Sequence, residues 1–565
     1  MSTLPSVAEP VEKPGRRILT VLLCLVAGLG PALAQQPFGL LPGLTGFSLM
    51  IALIDRSDPR RRLASAFWRG WLAGLAYFAV AIWWVWQAFM VEADEHGWQA
   101  PFAVVGLAAG LALFWGITAA AYRLIAPRSS RRILVFAALF ALAEWLRGHI
   151  LTGFPWDLPG EAWRAGGAVS QVASVIGVYG LSLVTLAMGA SAVLIFEKRP
   201  IQSGRLAPLF GIVAFILLWA GGVARLKAAD HLPADPVAPI VRVVQANVPQ
   251  AEKWDSKAFA DIVERHVRLS AAPGKIGRPD IVIWSETAIP SLANDYLAPG
   301  TWTLDRISRA LTPGQLLLVG APRAEPRPAE HRLAYFNSLL ALQRTQNGFV
   351  SLATYDKHHL VPFGEYMPMD ALATRLGLKA LAHVGDGFDA GPATEVMHIP
   401  GWPSAQPMIC YEGLFPGAVN DPHRDARFIV NVSNDSWFGP TTGPLQHDNM
   451  ARYRAIEQGL PMARATPTGV SSIVDAYGRP KIQIGQGLIG IADARLPPRA
   501  PDTLYRRLGD RPFFALILFA LMVGIPGPRV LGLLRIVAGR EYGLTAPSSL
   551  ILKRKTTESD RKDAD

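Results

Sequence analysis

Apolar positions along this chain come in two textures. Long runs, nearly free of charge, cover about 18–34, 38–54, 70–91, 102–122, 133–146, 168–196 and 206–224. Runs of this length, or close to it, predict helices that span a bilayer. The first two are short and parted only by Pro37 and its neighbours, which predicts a tight helical hairpin; the fifth is the shortest and contains Glu144. From Pro239 to about Arg507 the texture changes. Short apolar strands at about 240–247, 280–285, 315–320, 349–355, 406–411, 427–432 and 471–475 are interspersed with helical patterns near 256–271, 301–311 and 446–460. This mixture predicts an α/β domain of roughly 270 residues, large enough for a full core. A polar, Pro-containing linker at 225–238 precedes it, and an eighth apolar run at 512–528 follows. The polar residues 1–15 are expected to be disordered.

Composition supports a membrane protein. Half of the 565 residues are hydrophobic, only 18% are charged, and no ionisable side chain except the thiol of Cys24 lies between Ile18 and Ile54. The net charge of +11 does not indicate nucleic acid, because many of the basic residues cluster in short loops. Arg16 and Arg17, then Arg56 and Arg60 to Arg62, then Arg123 to Arg132, then Lys198 to Arg205 fall on every second side. By the positive-inside rule the amino terminus is cytoplasmic. Seven spans within 16–224 place the 239–507 domain outside, and an eighth at 512–528 returns the chain to a basic cytoplasmic tail at 529–565. A competing reading makes the first run a cleaved signal peptide ending at Ala32-Leu33-Ala34, which leaves the later topology unchanged.

Candidate chemistry sits where short strands end. Pro407 to Pro416 reads as a strand delivering Cys410 to a sharp turn; the other cysteine, Cys24, lies in a membrane run, so Cys410 is expected to be a free thiol. Asp280 to Trp284 leads to Glu286, and Ser351 to Asp356 leads to Lys357. Brought together, these groups would supply a nucleophile, a base and a cation for an oxyanion. Asn431 to Gly439 is a polar, Gly-closed loop suited to a pocket wall, and residues 371–391 form a candidate apolar arm. No zinc frame, P-loop or dinucleotide fingerprint is present in the sequence, and no cofactor is expected.

Glu286, Lys357 and Cys410, in this order and within these local sequences, resemble the Glu-Lys-Cys triad of the nitrilase superfamily. The flanks Asn-Val-Pro-Gln-Ala-Glu-Lys-Trp254, Lys357-His-His-Leu-Val-Pro-Phe-Gly-Glu-Tyr-Met-Pro368 and Cys410-Tyr-Glu412 resemble the apolipoprotein N-acyltransferases, its membrane-embedded branch. The resemblance implies a multi-pass helical membrane domain of about eight spans joined to a four-layer α-β-β-α sandwich. It also implies that Cys410 takes an acyl chain from a phospholipid as a thioester and passes it to the α-amine of a diacylglyceryl-modified cysteine on an apolipoprotein, at the outer face of a bacterial inner membrane. Glu286 would be the base and Lys357 the oxyanion cation, with Glu365, Glu412, Tyr411 and Trp254 in support. Two alternatives stay open at this point: a membrane-anchored amidase acting on a soluble C–N substrate, and a transporter or sensor with an outer ligand domain.

Overall fold

The computed structural model describes residues 14–196, 207–233, 235–367, 387–393, 395–417 and 425–525. Most of the expected disordered terminus, most of the candidate arm at 371–391, the end of the eighth run and the basic tail lie outside the described residues.

Each apolar run forms a helix: α1 (Pro14–Ala34), α2 (Gly46–Asp55), α3 (Arg62–Ala81), α4 (Ala100–Ile125), α5 (Arg132–Arg147), α6 (Ala173–Ser191) and α7 (Ala207–Asp230), with the eighth after the α/β domain. Among the described residues, four segments are long and apolar enough to cross a membrane: Gly15–Ala34, Ala93–Ile125, Val169–Ile195 and Gly211–Asp230. The expected count of about eight is therefore not reached by that measure, and local causes are visible. Pro42 starts α2 with a 3-10 turn, α3 carries Arg62 and Arg69 and stops at Ala81, and α5 has 16 residues.

The bundle reverses the usual soluble arrangement. Ile18 and Leu22 of α1, Phe102 and Ile117 of α4, and Ile212 and Leu217 of α7 are exposed. Glu144 and Arg147 are instead buried as an ion pair, with the Trp115 indole donating to Glu144 at 2.7 Å. Apolar residues outside and a paired charge inside suit a lipid surround. Close helix contact comes from small residues: a Cβ on Gly70 of α3 would lie 2.4 Å from the Ala119 Cβ of α4.

Two sheets form the α/β domain. The first has the order β11-β1-β2-β3-β4-β5: β1 Ile240–Gln245, β2 Ile281–Trp284, β3 Leu316–Arg327, β4 Arg332–Thr345, β5 Gly348–Asp356 and β11 Gly490–Arg495. The second has the order β10-β9-β8-β7-β6: β6 Ala405–Ile409, β7 Phe428–Val432, β8 Met462–Ala465, β9 Ser471–Val474 and β10 Pro480–Ile484. The β1-β2-β3 and β6-β7-β8 pairings are parallel and the others antiparallel.

Alternation along the strands makes the layers. Val241, Val243, Ile281, Ile283, Leu316 and Leu318 face Ile409, Val430, Val432 and Ala463 of the other sheet. Val244, Val282 and Val319 pack outward on α8 (Phe259–Ala271) and α9 (Trp302–Ala310). Met408, Ile429 and Met462 pack outward on Ala451 and Ala455 of α10 (Gly443–Gln458). The result is the four-layer α-β-β-α sandwich.

Helix α10 has no free face. Its Met450, Tyr453 and Ile456 belong to the same apolar core as the membrane helices. Polar links run beside them. The Trp156 indole donates to Gln446 at 3.1 Å, Asn449 accepts from the Ala165 amide at 2.8 Å, and the Tyr453 hydroxyl donates to the Gly160 carbonyl at 3.0 Å. Gly177, at φ +68°, interrupts α6, and Glu457 accepts the neighbouring Val178 amide at 2.9 Å. The last helix, α11 (Arg511–Gly524), packs back on α5 and α6.

Candidate active site

Three strand ends converge next to α10. Ser285 and Glu286 follow β2, Lys357 follows β5, and Cys410 follows β6. Gly320 on the neighbouring β3 makes room for the first, since a Cβ there would stand 2.6 Å from the Glu286 Cα. Cys410 opens a 3-10 turn, Cys410–Leu414, with φ +49°, a left-handed conformation that a non-glycine residue keeps only when its surroundings hold it.

The Lys357 ammonium lies 3.5 Å from Glu286 Oε1 and 2.9 Å from both oxygens of Glu365. The Asn337 side-chain amide bridges the two carboxylates, donating to Glu286 at 2.6 Å and to Glu365 at 2.7 Å. Burial alone would pull the Lys357 pKa down, but Glu365 and Glu286 outweigh it and hold it above the ordinary lysine value. Glu286 Oε2 is buried and has no hydrogen-bond partner among the described residues. That oxygen is available to take a proton.

The Cys410 thiol is partly buried and free of any disulfide. Burial, then the charge of Glu286, push it up to about 12, with Lys357 opposing. At neutral pH it is therefore a thiol that needs a base. Lys253 approaches from the other side: buried, it meets the Glu286 carbonyl at 3.4 Å, and burial pulls it down to about 8 against the opposing charges of Glu286 and Cys410.

Glu412 has a tying role. Its carboxylate accepts from the Ile409 amide at 2.8 Å, the His358 amide at 2.9 Å, the His359 amide at 3.2 Å and the Tyr355 hydroxyl at 2.7 Å, while burial raises its pKa. It thus ties the cysteine turn to the lysine segment. The Tyr411 hydroxyl donates to the Gly153 carbonyl at 2.5 Å, and its ring contacts Phe415, so the cysteine turn is also tied to the loop after α5. Trp254 is 36% exposed and follows the buried Lys253. Cys24 is buried in α1, far along the chain from Cys410.

The structure thus brings Glu286, Lys357, Glu365 and Cys410 into one electrostatic cluster, with Glu412 and Tyr411 bracing it, and links Trp254 to it through its neighbour Lys253. Trp156, in the loop after α5, is buried between Trp84, Phe438 and His447. Sequence reasoning missed Asn337, which lies in β4, an unrecognised strand. It also missed Lys253, although that residue lies within the quoted flank before Trp254. The sequence reading gave His447 no role. The stretch 431–439 does reach the site, since Ser433 contacts the thiol. Among the described residues, Glu92, Glu95 and His96 set ligand-type atoms within 4.8 Å of one another on an exposed acidic turn, an arrangement common without any ion.

Comparison with known proteins divides the chain at the same place. Residues 27–191 match the apolipoprotein N-acyltransferase N-terminal domain, and residues 240–500 match the carbon-nitrogen hydrolase family. Curated relatives align along nearly the whole length. An apolipoprotein N-acyltransferase of Caulobacter vibrioides is 50% identical over 89% of this chain and 93% of its own. Those of Rhodopseudomonas palustris and Bradyrhizobium diazoefficiens are 36% and 38% identical, each over 89% of this chain and 94% of theirs.

Proposed function

The chain belongs to the apolipoprotein N-acyltransferase family, and from that premise we propose that it moves an acyl chain from a phospholipid to the amino-terminal amine of a diacylglyceryl apolipoprotein through a Cys410 thioester. The observation that carries this reading is the raised Cys410 thiol beside a buried carboxylate oxygen and a charged lysine.

In the first step Glu286 takes the thiol proton as Sγ attacks the ester carbonyl carbon. The oxygen that becomes negative is met by Lys357 and by the Tyr411 amide N–H. The tetrahedral species collapses, the C–O bond breaks, and the leaving lysophospholipid oxygen takes the proton from Glu286. In the second step the acceptor amine attacks the thioester, its proton passes to Glu286, the C–S bond breaks, and the thiol is restored. Glu365 and Asn337 hold Lys357 and Glu286 in register throughout.

A lipid donor fits the surroundings. Leu151, 85% exposed, lies in the loop tied to Tyr411 and His359, Phe363, 58% exposed, lies in the segment after Lys357, and that loop follows α5 of the apolar bundle. We read the bundle as eight crossings of a bacterial inner membrane, with the sandwich on the periplasmic side. A pocket joined to the bundle meets two bilayer-confined substrates at high local concentration.

The test uses the full chain in vesicles with an acyl-labelled phospholipid. The expected result is label on the peptide containing Cys410, stable in water and discharged by a synthetic diacylglyceryl lipopeptide with a free amine. Label that never appears on Cys410, or that water removes as fast as the lipopeptide does, overturns the proposal; the second outcome would indicate a hydrolase.

A further inference from the structure

His447 has no part in the steps above, yet it is buried directly behind the cysteine. One ring nitrogen, Nδ1, lies 2.9 Å from Asp435 Oδ1, and the other, Nε2, lies 3.3 Å from the Cys410 carbonyl oxygen. Both partners accept. A carbonyl oxygen has no proton to give, and Asp435 is kept as a carboxylate by Arg464 at 2.8 Å and by the Ser433 hydroxyl at 2.7 Å. Each ring nitrogen thus faces an acceptor, and donation to both at once requires a doubly protonated ring. The charged group against it is Asp435, backed by Arg464 of β8, and the rings of Trp156 and Phe438 lie beside it.

We propose that His447 is a positioning residue for the oxyanion site: by donating to the Cys410 carbonyl it fixes the Cys410–Tyr411 peptide so that the Tyr411 N–H faces the reacting carbonyl oxygen. In a trans peptide the C=O and N–H point to opposite sides, so aiming one at α10 aims the other into the pocket. The Tyr411 N–H lies in the first turn of its 3-10 segment, where leading amides lack a carbonyl one turn back. Donation from a cation also polarises the amide and strengthens its N–H as a donor. The same bond helps hold Cys410 at φ +49°. The inference rests on the acyl-transfer reading and adds a residue to it.

The test compares wild type, His447→Leu and His447→Gln as full chains in detergent. Acylation of Cys410 by a p-nitrophenyl acyl ester reports the oxyanion site, and alkylation by iodoacetamide reports the thiol alone. Loss of an oxyanion donor lowers rates about 10²–10³-fold, so a misaimed donor in His447→Leu should slow acylation by about 10–100-fold. Alkylation and the apparent affinity for the ester should stay within about twofold of wild type, and His447→Gln, which keeps an N–H donor, should recover part of the acylation rate. In wild type, 15N NMR of the histidine ring should show both nitrogens protonated at neutral pH, a readout that needs no variant to fold. An unprotonated ring nitrogen, wild-type acylation by His447→Leu, or acylation and alkylation falling in parallel overturns the inference. A wild-type protein acylated by the ester but never by phospholipid refutes the donor proposed above and leaves His447 in place.

Discussion

Replacing Glu286 by Gln should move two properties of Cys410 in opposite directions. The amide keeps the shape of the side chain and removes its charge. In wild type the thiol stands at about 12, raised first by burial and next by Glu286, while Lys357 acts the other way. A like charge a few ångströms away shifts a pKa by about 1–3 units, so the variant thiol should titrate at roughly 9–11. At pH 8 the thiolate fraction then rises from about one in 10⁴ to between about one in 10³ and one in 10, and alkylation by iodoacetamide should quicken by about 10- to 1000-fold. Acyl transfer should fall by about 10²–10⁴-fold, because the proton acceptor is gone. Both rates are measurable on one preparation, by mass spectrometry of the Cys410 peptide and by label transfer to a lipopeptide. A variant that alkylates no faster than wild type, or that keeps transfer within about tenfold, refutes Glu286 as the base beside the thiol.

Asn337→Leu removes both bridging hydrogen bonds to Glu286 and Glu365 at nearly constant volume; hydrogen bonds to charged groups contribute about 1.5–3 kcal/mol each, so transfer should drop at least about tenfold with a lowered melting temperature in detergent. Glu412→Gln turns an amide NH2 toward either the Ile409 amide or the His358 and His359 amides, and thermal unfolding should report a loss of about 1–3 kcal/mol. Gly153→Val meets both a φ of +79° and the Phe415 ring 2.9 Å from the new Cβ, so it should detach the loop from Tyr411 and reduce transfer while leaving the Cys410 alkylation rate near wild type. Asp435 is a pH test. Burial would raise its pKa, but Arg464 and His447 hold it at about 2. Its folded pKa is depressed, so its stabilisation is complete above about pH 4 and is lost as pH falls toward about 2, a difference of about 2–3 kcal/mol; Asp435→Asn should be less stable at pH 7 and lack that acid dependence.

Much of the fold was legible in the chain because burial writes it there. The apolar runs became α1 to α7 and α11, and β1, β2, β5, β6, β7 and β9 lie within a few residues of the runs that predicted them. What escaped had weak local signals. Strand β4 mixes Arg332, Asn337, Gln343 and Arg344 into its apolar positions, and β8 is the four residues Met462–Ala465, with Arg464 buried against Asp435. Crossing number is less legible than helix content, because apolar content does not reveal where a helix stops: α3 ends at Ala81 although the apolar run continues to about 91. Candidate site residues were legible where a charge or thiol closes an apolar strand. Asn337, Lys253 and His447 were not, since each acquires its position from partners 12 to 51 residues away.

Helix α10 is wetted on neither side, and this constrains how the protein can be taken apart. A fragment starting at Pro239 would bare Met450, Tyr453 and Ile456, along with the acceptors on Gln446, Asn449 and Glu457 that now serve the bundle. Such a piece should aggregate rather than behave as a free hydrolase. The two halves are better regarded as a single cooperative body, in which the placement of Cys410 relative to the helix bundle is set at assembly.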